Sequence, residues 1–363
     1  MRKKVDKGEV KAQKGIKNEA NETEMKVETR GAAAEGNTLS EDKFKKRMKD
    51  DILLIEGALQ EFLPAKEGEQ KIIFEAMEYS VMGGGKRIRP MIMLESYRMF
   101  AGENAQVTRE LKTFMTALEM IHNYSLVHDD LPAMDDDEYR RGRLTTHKVY
   151  GAGMATLAGD ALLNYAFEII ANVMVSLDSE IDENMEADLQ NGSETGKKTE
   201  RKLSRSAKAF HVLSGKAGIF GMIGGQVVDV GLTGKEVSKE QIEFIHKLKT
   251  AALLEAPFMI GAILAGASDE EVKVLEKVGE NVGLAFQIQD DILDLTSTTE
   301  VLGKPVHSDE KNSKETYVSM VGLEEAEAAV VRYSEEAEEL LKGLNKKNEF
   351  LELLIEKMIN RKK

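Results

Sequence analysis

Residues 238–267 read "SKEQIEFIHKLKTAALLEAPFMIGAILAGA", and their apolar side chains recur at the spacing of an α-helix. The same spacing is found at 47–63, "RMKDDILLIEGALQEFL", and at 158–175, "AGDALLNYAFEIIANVMV". Alternating strand patterns bounded by hairpin turns are absent from the sequence, and only five of its 363 residues are prolines. The sequence therefore predicts an all-α fold with long helices.

Two parts of the sequence depart from this helical pattern. Residues 1–40 are polar and charged with little apolar content, which predicts a disordered tail. Residues 178–205 run from acidic through Gly/Ser to basic, which indicates a solvated, mobile surface loop or a frayed helix extension. We expect residues 41–363 to form a single domain that contains 178–205 as a variable insert.

Composition limits the compartments and partners open to the chain. A net charge of −14 disfavours nucleic acids and anionic membranes as main partners, and an anionic substrate would need local cations to bind. The absence of cysteine excludes disulfides and thiolate chemistry and fits a reducing cytoplasm. Glu255 and Pro257 interrupt the most apolar stretch, so we expect no stable membrane insertion. The basic N-terminus also lacks the apolar segment of a signal peptide.

An acidic cluster lies in "GLAFQIQDDILDLT", residues 283–296. On a helical wheel, four polar residues share an arc of roughly 100°, and they are Gln287, Asp290, Asp291 and Asp294. One interpretation is a solvent-facing stripe on an amphipathic helix. The alternative is a divalent-ion site, because three crowded carboxylates repel each other and lose hydration when partly buried. Oxygen ligands without His or Cys favour Mg²⁺ over Ca²⁺ or Mn²⁺.

A second acidic cluster, "VHDDLPAMDDDEYRRGR", occupies residues 127–143. Pro132 disfavours helical backbone at the residue before it. A bulge at this point would let Asp129 converge with Asp135 and Asp136 on one ion. His122 and Ser125 share the helix face of Asp129, so we expect them to line the same cleft.

Cations lie close to this cluster in the sequence. Arg140 and Arg141 follow the carboxylates directly, and "MGGGKRIRP" at 82–90 places three glycines before a basic run. That run consists of Lys86, Arg87 and Arg89. The arginines either neutralise the aspartates or bind phosphate. Since Mg²⁺ usually completes its shell with substrate phosphate, the sequence favours a diphosphate held by metal ions and cations together.

Seven short motifs then resemble those of one enzyme family, in the family's order: "GGGKRIRP", "DDLPAMDDDEYRRGRLTTH", "LAGDALL", "GGQVVDV", "KLKTAALL", "FQIQDDILD" and "LGKP". From about residue 45 to the C-terminus, the chain resembles the trans-isoprenyl diphosphate synthases, most closely bacterial farnesyl diphosphate synthases. The resemblance implies the isoprenoid synthase fold, an orthogonal bundle of long helices around a central cavity, and a homodimer. It also implies condensation of isopentenyl diphosphate with dimethylallyl and geranyl diphosphate to farnesyl diphosphate, by Mg²⁺-assisted ionisation of the allylic diphosphate.

The resemblance also assigns roles to residues. Mg²⁺ would be bound by Asp129, Asp135 and Asp290, with support from Asp130, Asp136, Asp291 and Asp294. Three ions would accompany a bound diphosphate, and Mn²⁺ is an alternative metal. The allylic diphosphate would contact Arg140, Lys249 and Lys304, although the two lysines taken alone resemble ordinary surface lysines. The isopentenyl pocket would contain Lys86, Arg89, His122 and Arg141, and Gly85 is counted among the substrate-binding residues.

Four residues would take part in catalysis by this resemblance: Lys249, Thr250, Gln287 and Arg140. Thr250 and Gln287 would present oxygen dipoles to the allylic carbon, which stabilise a developing cation without trapping it. Tyr124 and Ser125 would form the floor that limits chain length, as in farnesyl synthases. A tyrosine packed in the core is the alternative for Tyr124, and a geranylgeranyl synthase is the alternative for the enzyme.

Two other observations bear on this assignment. The sequence after "LGKP" departs from the family's pattern, and the C-terminal "NRKK" resembles a basic tail that folds over the isopentenyl pocket. A terpene cyclase of the same fold and a non-catalytic regulatory subunit are the competing functions. The presence of both aspartate motifs and of an isopentenyl pocket disfavours them.

Overall fold

The protein is built almost entirely from helices, as the spacing of its apolar residues predicts. The structure, a computed structural model, describes residues 39–191, 194–296 and 315–361. Those from Leu39 onward form one unit. The helices of the first half are α1 (Glu41–Phe62), α2 (Lys71–Val81), α3 (Ile88–Ala101), α4 (Arg109–Asp129), α5 (Thr146–Tyr150) and α6 (Ala152–Asn191). Within the described ranges, the only strands are β1 (Tyr139–Arg140) and β2 (Arg143–Leu144), an antiparallel hairpin between α4 and α5.

In the second half, all regular secondary structure of the described residues is helical. They are α7 (Thr195–Ala217), α8 (Met222–Leu232), α9 (Lys239–Ile245), α10 (Ala252–Ala265), α11 (Asp269–Thr296), α12 (Tyr317–Val321), α13 (Leu323–Gly343) and α14 (Glu349–Ile359). A single π-helical segment, His246–Ala251, joins α9 to α10 without a break. The three segments whose periodicity predicts helices therefore lie in α1, in α6 and in the continuous stretch α9–α10.

Short polar side chains begin several of these helices. The Thr108 hydroxyl accepts the Leu111 backbone N–H at 3.2 Å at the start of α4. Ser238 and Gln241 form a reciprocal capping box at the start of α9. These side chains satisfy backbone donors that the first helical turn leaves without a partner, which fixes where each helix begins.

Helix α10 lies at the centre of the bundle. Every residue from Ala252 to Ile263 is buried, and the helix packs against α3, α7 and α11. Its acidic residue Glu255 is 3% exposed and pairs with Lys216 of α7, so the buried charge is compensated. A helix that is apolar on all sides is stable only when other elements surround it, which is the position α10 takes.

Two described helical stretches have the length and composition of a membrane span. They are Ala152–Met185 and Lys239–Ala265, and 72% of the apolar window of the second is buried inside the bundle. The core helix of a helical bundle is buried to a similar extent. The expectation of no stable membrane insertion stays a prediction.

The acidic-to-basic insert is helical in the structure. Helix α6 continues through Asn191 and α7 begins at Thr195, so the helix-extension alternative applies and the loop alternative is wrong for the described part. The Asp188 carboxylate of α6 accepts the backbone N–H groups of Thr195 at 3.1 Å and Gly196 at 2.8 Å. An acidic side chain at a helix N-terminus is stabilising, which gives the charge pattern of this segment a structural role. The predicted tail lies outside the described residues, except for Leu39 and Ser40.

Candidate active site

The first aspartate motif begins where α4 ends. The helix ends at Asp129, and the chain then turns back so that the backbone N–H of Asp135 donates to the carbonyl of Asp129 at 2.9 Å. The backbone departs from helical geometry at "LPA" as a turn that follows the helix end, and Pro132 lies in this turn. The predicted approach of Asp135 to Asp129 is present, since the turn brings their backbones together.

Side-chain cations neutralise the aspartates that follow. Asp130 is 3% exposed, and its carboxylate accepts the Arg140 guanidinium at 2.6 Å. Burial raises the pKa of Asp130, although the bond from Arg140 opposes the increase. Asp136 lies 3.6 Å from both His147 Nε2 and Lys148 Nζ. Asp130, a predicted supporting metal carboxylate, thus pairs with Arg140, a predicted diphosphate cation, while Asp136 lies beside two residues that have no predicted role.

The hairpin carries the two predicted diphosphate arginines beside the glycine-rich loop. Arg140 lies on β1 and Arg141 in the turn, and the Arg141 guanidinium donates to the carbonyl of Gly84. Gly85 has a φ of +131°, and a Cβ at this position would lie 2.9 Å from the Arg141 Cζ. The positive φ therefore favours glycine here, while the Arg141 guanidinium, at the end of a flexible side chain, could move to make room. This contact brings the glycine-rich motif and the first aspartate motif together.

Arg87 does not take the role that the basic run suggests. It is 2% exposed and donates to the Glu119 carboxylate at 2.9 Å and to the Val81 carbonyl at 2.8 Å. Because its guanidinium is bonded to groups inside the protein, Arg87 supports the loop. Lys86, which is exposed, and Arg89 remain as the candidate diphosphate-binding residues of this run.

Arg89 and His122 meet as the isopentenyl-pocket assignment predicts. The Arg89 guanidinium lies 3.4 Å from His122 Nε2, and burial lowers the pKa of Arg89 to about 10. Burial and four surrounding arginines hold the pKa of His122 well below its usual value, and those arginines are Arg89, Arg141, Arg140 and Arg87. His122 is therefore a neutral imidazole among converging cations, an environment suited to an anionic ligand.

Strained backbone is concentrated at this place. In the described ranges, three residues other than glycine have a positive φ: Arg87 at 51°, Asp136 at 49° and Arg141 at 54°. All three belong to the glycine-rich loop or the first aspartate motif. Such conformations cost free energy and persist where function requires them, which supports a functional site here.

The second aspartate motif connects to the π-helical segment. Thr250 Oγ1 in this segment donates to Gln287 Oε1 at 2.8 Å, and Gln287 Nε2 donates to Asp291 Oδ1 at 3.1 Å. The backbone N–H of Tyr317 donates to the other oxygen of Asp291 at 3.0 Å. Short π-helical turns are frequent at functional sites. The structure thus brings Thr250, Gln287 and Asp291 into one hydrogen-bonded series.

The acidic stripe of α11 does not lie on a solvent-facing surface. Asp291 is 6% and Asp294 8% exposed. Burial raises the pKa of Asp291 to about 7, against the hydrogen bonds from Tyr317 and Gln287 and with help from the neighbouring Asp290 and Asp294. The interpretation as a solvated amphipathic face is wrong for these two residues.

Helix α8 supplies two site residues that the sequence analysis did not assign. Gln226 Nε2 donates to Asp129 Oδ1 at 2.7 Å, and Asp229 Oδ2 accepts Lys249 Nζ at 2.6 Å. A Cβ on Gly225 would lie 2.2 Å from the Lys249 backbone nitrogen, so the helix can approach the π-helical segment only with glycine there. Residues 226 and 229 share one face of α8. A polar pair at this spacing within the apolar "GGQVVDV" was the signal available in the sequence.

The C-terminus reaches the second motif. Arg361 pairs with the Asp290 carboxylate, and its guanidinium lies 3.7 Å from the centroid of the Phe286 ring. It also donates to the Phe286 carbonyl at 3.3 Å. These contacts place Arg361 at the second aspartate motif, and the position of the basic tail over the isopentenyl pocket stays a prediction. Residues 362–363 lie outside the described part.

The chain-length residues lie one turn before Asp129. Tyr124 is 6% exposed, and its ring meets the His128 ring edge-on with 5.8 Å between the ring centroids. Burial, together with the nearby Asp129, raises the pKa of Tyr124 to about 12. The Ser125 hydroxyl donates to the His122 carbonyl at 2.9 Å. Lys304 and residues 305–314 of the departing stretch after "LGKP" lie outside the described residues, whereas Val318 of the same stretch is buried in α12.

The donor set fits a hard divalent ion, because it consists of carboxylates without cysteine. In the part of the chain that the structure describes, no three acidic or histidine side chains converge as a ready metal cage. Instead, the carboxylates of Asp130, Asp136 and Asp290 form ion pairs with basic side chains of the protein. The Asp129 carboxylate accepts a hydrogen bond from Gln226. Oxygen ligands are thus present, and metal binding requires that they exchange partners.

Comparisons with known proteins agree with this geometry. The chain matches the family described as "Polyprenyl synthetase" over residues 70–358. It is 39% identical over 305 residues to the chloroplastic geranylgeranyl pyrophosphate synthase of Capsicum annuum, an alignment that covers 83% of this chain and 74% of that protein. It is 38% identical over 305 residues to the farnesyl diphosphate synthase of Geobacillus stearothermophilus, covering 84% and 92%. A geranyltransferase from Helicobacter pylori, solved with magnesium and isoprenyl diphosphate, superposes with a TM-score of 0.70 at 29% identity, covering 91% and 98%.

Proposed function

The chain belongs to the polyprenyl synthetase family, a family of trans-prenyltransferases, and we propose that it condenses isopentenyl diphosphate with dimethylallyl and geranyl diphosphate to farnesyl diphosphate. One observation carries the proposal. A chain of contacts runs from Asp129 to Gln226, along α8 to Asp229, and on to Lys249. It joins the first aspartate motif to the segment that holds Lys249 and Thr250.

Binding of the allylic diphosphate requires an exchange of ionic partners. Arg140 lies 2.6 Å from Asp130 and 3.4 Å from Asp137, and Lys249 lies 2.6 Å from Asp229. A diphosphate accepts charge-assisted hydrogen bonds from such cations, so it competes directly with the aspartates for them. The released carboxylates then become available to a divalent ion.

The metal we assign is Mg²⁺, with three ions when a diphosphate is bound and Mn²⁺ as a possible replacement. When bound, it would supply a Lewis acid that draws negative charge from the departing pyrophosphate. The protein's part is to hold the ligands: Asp129 and Asp135 on the turn after α4, and Asp290 on α11. This choice rests on the carboxylate-only donor set and on the magnesium found with the related geranyltransferase.

The allylic carbon would develop positive charge next to Thr250 and Gln287. Because the Thr250 hydroxyl donates its proton to Gln287 Oε1, its own oxygen lone pairs remain free to face that carbon. The Gln287 amide is fixed in turn by Asp291. Dipoles oriented in advance stabilise a developing cation without the cost of reorientation.

Product length is assigned from Tyr124. Its buried ring lies beside His128 at the end of α4, and by the family resemblance a large side chain at this position would limit the length of the growing chain. This supports a C15 product, and geranylgeranyl diphosphate is the alternative because relatives of both kinds match equally well. A homodimer in the cytoplasm remains our prediction for the assembly, and light scattering tests its mass.

The deciding experiment is a condensation assay with Mg²⁺, dimethylallyl diphosphate and labelled isopentenyl diphosphate, with products separated by chain length. We expect a labelled C15 product that requires both substrates. Release of pyrophosphate from geranyl or farnesyl diphosphate alone, with a cyclised product, would indicate a terpene cyclase instead. An inert protein would indicate the regulatory alternative.

A further inference from the structure

The hairpin that carries the diphosphate arginines is small and poorly buried. Each strand has two residues, and side chains on both strands are exposed, with Tyr139 61% and Leu144 39% accessible. A two-stranded hairpin of this size is not stable by itself in water. Contacts with the rest of the protein must therefore fix its position.

Most of these contacts use groups that the reaction needs. Arg140 is held by Asp130, and Arg141 by the carbonyl of Gly84 beside the isopentenyl pocket. When a diphosphate binds Arg140 and a metal ion binds Asp130, the ion pair between these two residues is lost. An anchor that remains during substrate binding has to involve other groups.

Tyr79 of α2 has the contacts of such an anchor. Its hydroxyl donates to the carbonyl of Leu144 on β2 at 2.8 Å. The guanidinium of Arg143, on the same strand, lies 4.3 Å from the centroid of the Tyr79 ring. The Tyr150 ring packs edge-on against Tyr79 at 5.7 Å, which fixes the orientation of the tyrosine from the other side.

Helix α2 makes this anchor rigid, because it packs against α4 and α6 in the body of the bundle. Tyr79 therefore connects the strand opposite Arg140 to the fixed part of the protein. It uses a backbone carbonyl and Arg143, and neither was assigned to a substrate or a metal.

We propose that Tyr79 is a positioning residue, which holds the arginine hairpin in register while Arg140 and Arg141 exchange their protein partners for diphosphate. The proposal rests on the proposed function. Loss of the anchor leaves the hairpin free to move away from the diphosphate, so affinity for both diphosphates falls. Because Arg140 on this hairpin was also assigned to catalysis, kcat is expected to fall together with affinity, and direct binding of a diphosphate is the readout specific to the anchor.

The test compares Tyr79→Phe with a matched control, Tyr165→Phe. Both variants remove a tyrosine hydroxyl that donates to a backbone carbonyl, and the control bond, to Phe62 at 3.1 Å, lies away from the hairpin. A hydrogen bond of this kind contributes about a two- to tenfold factor, so we expect KM for both diphosphates to rise by that factor in Tyr79→Phe only. Tyr79→Ala, which also removes the ring beneath Arg143, should raise KM further.

Direct binding of inorganic pyrophosphate with Mg²⁺, followed by calorimetry, gives a readout that is independent of turnover. Weaker pyrophosphate binding in Tyr79→Phe than in wild type and in the control, with an unchanged melting temperature, supports the proposal. Equal KM values in the two variants overturn it, and so does a lower melting temperature with unchanged pyrophosphate binding. If wild-type protein shows no condensation at all, the proposed function has failed, and the pyrophosphate comparison still decides the role of Tyr79.

Discussion

Replacement of Arg361 by alanine should strengthen metal binding to the substrate-free protein. Arg361 pairs with Asp290, a predicted Mg²⁺ ligand, so a divalent ion has to displace the guanidinium before it binds there. The side chain of Asp290 is 37% exposed, and an ion pair of that exposure contributes up to about 1 kcal/mol. Stacking of the guanidinium on Phe286 adds about 0.5–1 kcal/mol, if displacement also breaks that contact.

Together these contacts oppose metal binding by about 0.5–2 kcal/mol, which is a factor of about 2 to 30 in the dissociation constant. The assay is calorimetric titration of Mg²⁺ into the protein without diphosphate, with Mn²⁺ as a second probe. Arg332→Ala is the control, because Arg332 also lies over a ring, that of Tyr333 at 5.2 Å. Unchanged or weaker metal binding in Arg361→Ala, relative to this control, would refute the reasoning.

Three further predictions follow from the site and the core. Asp129→Ala and Asp290→Ala should each lower kcat by orders of magnitude, because each removes a predicted metal ligand, while circular dichroism shows an intact helical fold. Tyr124→Ala should shift the product from C15 towards C20, because it removes a buried ring from the predicted floor, as chromatography of the labelled products would show. Asp51→Asn should reduce the dependence of stability on pH between about 4 and 6, followed by thermal unfolding, because burial raises the pKa of Asp51 from 3.8 to about 6.

The sign of the Asp51 effect follows from proton binding. Between these two pKa values the folded protein binds more protons at this carboxyl than the unfolded chain does, so its contribution to stability falls as pH rises. The difference corresponds to about 3 kcal/mol across the window. If the stability of Asp51→Asn had the same pH dependence as that of wild type, the raised pKa of Asp51 would be contradicted. Near-normal turnover in both aspartate variants, or an unchanged C15 product from Tyr124→Ala, would contradict the other two.

The helical fold could be predicted because the buried face of a helix requires apolar residues at a regular spacing in the sequence. Helix α10 is apolar on every side since it is surrounded, and α6 and α1 show the amphipathic spacing of helices with one covered face. The π-helical segment could not be predicted in this way, because apolar spacing carries no information about which carbonyl each N–H reaches.

The candidate site was predictable where residue type alone determines chemistry. Crowded aspartates repel each other wherever the fold puts them, so their association with cations follows from the sequence. The partner of a given charge does not follow, since it depends on residues far along the chain. Arg87 and Arg89 look alike in "GGGKRIRP", and only the position of Glu119, 32 residues away, makes the first a buried support. Gln226 is 97 residues from Asp129, which explains why it was not assigned.

The π-helical segment also makes the site sensitive to chain length. At its end the backbone N–H of Ala252 bonds to the carbonyl of Lys247, five residues back, so this turn holds one residue more than an α-helical turn. Deleting Ala251 from this turn would restore α-helical spacing and rotate the side chains before it by about 100° relative to α10. Lys249 would then turn away from Asp229, and the hydrogen bond from Thr250 to Gln287 would be lost with it. Over evolution, a single-codon deletion here would inactivate the enzyme even though almost every motif could still be found in its sequence.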